Sequence, residues 1–354
     1  MTQDEIIIRT GIVHILDGEL GYPVFSEQPL ELSPDTNDFF RGLIYKIMSG
    51  DEMKKCHFDQ MDGSEEAAAT GEDTLLMGEN LDVYQLVKDF SEENLVEDSK
   101  KLAQALYDIM NANISIPSAD FAVVTFQVHS TPYLALLKMN YKESFVHMTQ
   151  AEEVGNVNQI IRYKSMLPSA ATKLSEAVII NLTDYSVQIV EKKYEVNGTK
   201  VNYLSELYLH CHAAMSSKTK LDIVTRAVEQ VNKKHFAEEP VKQLEAKRII
   251  KEEIEDTGSV NVERISEKIY GQAPEIKEEF DAKMEKYYME KAEVTPQSER
   301  TTRKFEKQYL KTDTGIEINI PMEQYQDAEQ VEFITNRDGT ISVLIKNINK
   351  ITTR

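Results

Sequence analysis

Apolar and polar positions alternate at the amino terminus as they do in a β-strand. Ile6, Ile8, Ile12 and Ile15 lead to Asp17 and Gly18, a hairpin signal, and residues 22–25 read as the return. The period then turns helical over 35–49, where Phe39, Phe40, Leu43, Ile44 and Ile47 share one side. Residues 59–80, with glycines, alanines and acidic side chains, predict an exposed loop. Two helical stretches follow between 81 and 113, the second striped by Leu102, Leu106, Ile109 and Met110. Residues 121–128 and 133–141 are β-rich runs joined by a short turn, which predicts an antiparallel hairpin. Further strands are expected near 159–166, 176–182 and 186–196, and Asn197 followed by Gly198 is the strongest hairpin turn in the chain.

From about 203 the spacing is helical again. Ser216 or Ser217 caps a helix carrying Leu221, Val224, Val228 and Val231, and Gly258 stops the next one. Val262, Ile265 and Ile269 mark a third helix, and Ile276, Phe280 and Met284 a fourth. Beyond Pro296 the pattern returns to strands around 315–320, 331–334 and 340–345. The expected fold class is α+β. An acidic mixed domain over 1–200 holds a central antiparallel sheet, 201–295 form a helical segment, and 296–354 make a small β-rich terminal unit packed on the helices.

Charge changes this picture more than composition does. Residues 1–120 contain 25 Asp/Glu against 8 Lys/Arg, whereas 121–354 contain 35 against 32. The first third therefore repels polyanions, and any affinity for nucleic acid must come from local basic stripes further on. No apolar run is long enough to span a bilayer, so no membrane association is expected. Two cysteines, Cys56 and Cys211, cannot build a disulfide framework, which fits a reducing cytoplasm.

Candidate chemistry is sparse. His210, Cys211 and His212 are the densest group of metal-ligand types, but neighbours on a helix point about 100° apart, so no metal site is expected. Asp313-Thr314-Gly315 matches the core of the aspartic-protease signature once; a turn entering a strand explains it better. Phosphate-cradling glycine loops are absent. The helices near 260–270 and 274–290 outline a helix-turn-helix. The second carries Glu275, Glu278, Glu279, Asp281, Glu285 and Glu290 against four lysines, which suits a solvated helix better than a major groove. Neither a catalytic centre nor a cofactor is predicted.

The basic stripes carry more. Arg303, Lys304, Lys307 and Lys311 are interleaved with Phe305 and Tyr309, and only Glu306 opposes them. Lys192 and Lys193, Lys218 and Lys220, and Lys233 and Lys234 are smaller clusters. These ten cations are the candidate DNA contacts; the alternative is ordinary surface, or a face that meets acidic protein.

Several segments, in their order along the chain, carry a resemblance. They are Ile6-Ile7-Ile8-Arg9 with Ile12-Val13-His14, Phe121-Ala122-Val123-Val124, Tyr133-Leu134-Ala135-Leu136-Leu137, Ala177-Val178-Ile179-Ile180-Asn181, and Arg303-x-Phe305-x-Lys307 before Gly315-Ile316-Glu317-Ile318. This series resembles the bacterial nucleoid-associated family called NdpA or YejK, over nearly the whole chain. One departure is the stretch from Tyr203 to His210, which has no Lys or Arg where the better-known members carry a basic segment. The resemblance implies a non-enzymatic protein of the cytoplasmic nucleoid, a homodimer, weak and non-specific binding to chromosomal DNA, and a link to type II topoisomerases. The alternative is an acidic adaptor or DNA mimic that engages a protein partner without touching DNA.

Overall fold

The structure, a computed structural model, describes residues 1–58, 83–152, 155–236, 240–325, 327 and 329–350. The loop expected over 59–80 lies outside them. The chain divides into two compact units, Met1–Met215 and Ser216–Arg354. Its fold class is α+β.

In the first unit, seven strands among the described residues form one antiparallel sheet: β1 (Ile6–Leu16), β2 (Lys54–Phe58), β3 (Ala119–Val128), β4 (Thr131–Asn140), β7 (Ala177–Asn181), β8 (Val187–Val190) and β11 (Cys211–Ala213). Their spatial order is β1-β3-β4-β7-β8-β2-β11. Helix α1 (Pro34–Met48) covers one face, while α2 (Val83–Asp89) and α3 (Leu95–Ala112) cover the other. Burial on both faces explains why β3 and β4 read as nearly unbroken apolar runs. On β3, Phe121 and Val123 pack under α3, and Ala122, Val124 and Phe126 pack under α1.

Strand β1 serves both faces by a different device. Ile6 and Ile8 pack on the α1 side, yet Ile12 and Leu16, also even-numbered, pack on the α3 side. A bulge between Ile8 and Thr10 inserts one residue and reverses the alternation. Arg9, at the bulge, makes a two-pronged contact with Glu92, at 2.8 and 3.1 Å. The return expected over 22–25 is reduced to a single bridge between Ile15 and Val24.

Two strands depart from expectation. The strand anticipated near 159–166 is one arm of a long two-stranded ribbon, β5 (Lys142–Glu152) with β6 (Gly155–Met166). The segment around His210 leaves its helical turn at Tyr208, and β11 pairs with β2, setting His212 opposite His57. The turn at Asn197 and Gly198 joins β9 (Tyr194–Val196) to β10 (Thr199–Val201), both turn residues having positive φ, 50° and 78°.

The second unit begins with four helices: α4 (Ser217–His235), α5 (Pro240–Thr257), α6 (Val262–Tyr270) and α7 (Pro274–Glu285). Ser216 caps α4 by accepting from the Thr219 amide. Leu221, Val224, Val228, Ile250, Ile265, Phe280 and Met284 are buried. The two-residue strands β12 (Val260–Asn261) and β13 (Glu293–Val294) tie the ends of the helical segment together. A short α8 (Glu299–Thr302) and a 3-10 turn (Arg303–Phe305) lead into the hairpin β14 (Lys307–Lys311) and β15 (Glu317–Pro321). Helix α9 (Met322–Tyr325) and the hairpin β16 (Val331–Thr335) and β17 (Ile341–Ile345) complete the unit.

Gly258 closes α5 with φ +74° and its amide on the Ile254 carbonyl at 2.9 Å. A Cβ there meets open space, so the penalty of Gly258→Ala is the left-handed backbone alone. We expect a loss of about 1 kcal/mol of stability, read from urea unfolding by circular dichroism. An unchanged midpoint would remove the cap from the account.

Candidate nucleic-acid interface

Strand β14 alternates exposed and covered positions. Gln308 is buried and Leu310 half-buried, whereas Lys307, Tyr309 and Lys311 all face outward. Successive outward side chains on a strand stand about 7 Å apart, so a cation, an aromatic ring and a second cation form a row. Across the hairpin their partners are Pro321, Asn319 and Glu317. The turn between the strands is 312–316, with Gly315 at φ +88° and Thr312 Oγ1 accepting from the Ile316 amide. Asp313-Thr314-Gly315 is thus an exposed hairpin turn.

Lys247 joins this row from α5. Its Nζ donates to the Lys307 carbonyl at 2.7 Å and lies 5.8 Å from the centre of the Tyr309 ring. Partial burial lowers its pKa, and Lys304 nearby lowers it further against the pull of Glu229. Nothing in the local pattern marks Lys247, because it sits 60 residues before Lys307.

The ten cations singled out from the sequence have different surroundings. Lys304 donates to Asp222 Oδ1 at 2.7 Å, fastening the 3-10 turn to α4. Lys311 pairs with Glu317 at 2.9 Å, and both side chains are about 70% exposed. Arg303 lies 3.7 Å from Glu299. Lys307 is exposed and forms no ion pair with a described residue. Lys218 and Lys220 occupy the first turn of α4, and Lys218 stands one turn before Asp222. Lys233 and Lys234 end the same helix, roughly 20 Å from Lys220 at 1.5 Å per residue. Lys234 and His235 converge on Glu279 at 2.7 and 2.8 Å, and with His235 foremost they hold its carboxyl down at about 2. Lys192 and Lys193 are exposed between β8 and β9 in the amino-terminal unit. The structure therefore brings Lys304 and Lys307 to Lys247, sets Lys311 on the same strand face as Lys307 and Arg303 in the turn before it, and leaves Lys233 and Lys234 at the far end of α4 from Lys218 and Lys220.

The helix-turn-helix outline is present as α6 and α7, but the second helix lines a concavity with Glu278, Asp281 and Glu285 against Lys277, and Glu290 beyond its end adds a fourth carboxylate. Phosphates would meet carboxylates there. Among the described residues, no three His, Cys, Asp or Glu side chains converge as metal ligands, and no helix is long and apolar enough to cross a membrane.

The family model described as nucleoid-associated protein YejK matches residues 12–352. The chain belongs to that family. No curated protein matches the chain. Membership spans both units, so the lysine-bearing hairpin of the second unit and the acidic first unit both lie within the family match.

Proposed function

We propose that this nucleoid-associated protein binds DNA weakly and without sequence preference, through the outward face of β14 and the turn before it. One observation carries the reading: Lys307 and Lys311 project from one strand face, with Lys247 against it and Arg303 and Lys304 leading into it. Cations in this arrangement contact phosphates and release counterions, which gives affinity without base readout. The ion pair of Lys311 with Glu317 is exposed and worth at most about 1 kcal/mol, so a phosphate can replace the carboxylate. Affinity stays modest because the second unit as a whole carries 27 acidic against 24 basic residues.

Neutralising Arg303, Lys307 and Lys311 together to glutamine tests this without disturbing the Lys304–Asp222 tie. We expect retention of the full chain on DNA-cellulose at low salt to be lost. The slope of log K against log salt should shrink by roughly 3, about 0.9 per phosphate contact. Unchanged retention and slope would reject the interface.

The acidic first unit supports a second route to the nucleoid. Its large negative excess suits the basic surface of a DNA-bound protein, such as a type II topoisomerase, for which it would compete with DNA. A complex with such a partner that survives nuclease treatment favours this route, and one that dissolves favours direct contact.

A further inference from the structure

We infer that the β14–β15 face takes an unpaired, single-stranded segment of DNA, with Tyr309 as the platform on which one base stacks and Lys307 and Lys311 on the flanking phosphates. The inference rests on the DNA-binding reading above and deepens it. Tyr309 is 68% exposed although it sits at the centre of β14, paired in register with Asn319. Lys247 backs the ring, and Lys247 is itself tied to the Lys307 carbonyl, so the ring has a supported side and an open side. A cation against one face and a base on the other is a stable sandwich for an aromatic ring.

Geometry selects the form of the nucleic acid. In a duplex the faces of the bases are already stacked on each other, so an aromatic ring standing on a strand face gains nothing from them. Only the lysines would make contact. An unpaired base offers both its face to Tyr309 and its neighbouring phosphates to the lysines two residues away on either side. Asn319, exposed directly opposite Tyr309, supplies an amide next to the base edge. Among the described residues, the carboxylates bordering this face are Glu317, which is already engaged by Lys311, the exposed Glu306 and Asp313 at its two ends, and Glu229, which acts on Lys247 behind the ring. At the centre of the row, Tyr309 and the opposing Asn319 carry no charge.

The test is fluorescence anisotropy of the full chain at low salt with three labelled probes of about 20 nucleotides: oligo(dT), a duplex, and an abasic strand that keeps the phosphates and lacks bases. The expected order is tightest binding to oligo(dT), with duplex and abasic strand weaker. Tyr309→Ala should weaken oligo(dT) about tenfold, to the level of the abasic strand, and leave the duplex unchanged. Tyr309→Phe should retain the preference. The residue is exposed, so neither variant threatens folding, which circular dichroism verifies. Equal effects of Tyr309→Ala on all three probes, or none on oligo(dT), would overturn the stacking role without touching the proposal that the protein binds DNA. Failure of the unaltered chain to bind any probe would instead remove the DNA-binding reading itself.

Discussion

Replacing Glu176 by glutamine should destabilise the protein by about 3–5 kcal/mol, as expected when one partner of a buried ion pair is removed. Glu176 is fully buried next to β7, on the α3 side of the sheet, and lies 3.6 Å from the ammonium of Lys138, which is 2% exposed. The separation makes this an ion pair rather than a hydrogen bond. Lys138 donates to the Pro117 carbonyl at 2.9 Å and to Asn140 Oδ1 at 2.5 Å. Glu176 accepts from Asn140 Nδ2, from the Tyr203 hydroxyl, and from the Tyr194 hydroxyl at 2.9 Å. Every donor in this cluster is aimed at an acceptor, and glutamine would turn an NH2 group toward hydrogens. Burial pulls Lys138 down to about 8 even with Glu176 holding it up. Its folded pKa lies below the unfolded value of about 10.5, so the unfolded chain binds the extra proton between them. This group's contribution to stability therefore rises as pH climbs from 8 to 10.5, and loss of Glu176 moves the start of that rise to lower pH. Urea unfolding followed by circular dichroism reads both effects. The double substitution Lys138→Met with Glu176→Leu should lose less than Glu176→Gln alone, because no charge is left stranded. A loss under about 1 kcal/mol for Glu176→Gln would mean that the pair is not the keystone of this cluster.

The parts of the fold that could be read from the sequence are those whose period is strong and local. Helix α1 starts at Ser33, whose hydroxyl accepts from the Thr36 amide, and buries Phe40, Leu43, Ile44 and Ile47 on one stripe. The β3–β4 hairpin is equally clear, since both its faces are covered and its apolar runs are nearly continuous. Of the β5–β6 ribbon only the β6 arm near 159–166 was expected; its partner β5 hid because neither face of the ribbon is fully buried, so only a weak pattern was imposed on it. Strand β11 hid because its identity comes from pairing with β2, more than 150 residues earlier, rather than from its own three residues. The candidate interface divides in the same way. The alternation of Lys307, Tyr309 and Lys311 is visible in the chain, and the outward row follows from it. The contact of Lys247 with that row, and the pairing of Lys304 with Asp222, span 60 and 82 residues and leave no local trace. The pairing of Lys138 on β4 with Glu176, just before β7, likewise joins residues far apart in the chain and leaves no local trace.

Acid should weaken the protein through His14 before most carboxylates are protonated. The imidazole is fully buried between β1 and α3. Its Nδ1 accepts from the Ser26 amide at 3.2 Å, which leaves the hydrogen on Nε2. Nε2 then donates to Ser99 Oγ at 2.9 Å, and that hydroxyl donates to the Val96 carbonyl at 3.0 Å. The Phe25 ring stands edge-on to the imidazole at 5.3 Å. Desolvation, reinforced by Lys100 and opposed by Glu27, lowers His14 to about 4. A second proton would face the Ser26 N–H, a donor against a donor. Because the folded value lies below the unfolded value of about 6.5, the unfolded chain binds the extra proton between them. Stability is thus fully present above 6.5 and is lost as pH falls toward 4, by about 3 kcal/mol from this residue. His14→Gln removes the titration while keeping a polar group in the slot. The difference between the two unfolding free energies, measured from pH 7.5 down to 4, should therefore shrink steadily through that window. Parallel profiles, or an imidazole resonance that titrates near 6.5 in the folded chain, would show that water reaches His14 and that the chain from Ser26 to Val96 does not fix its proton.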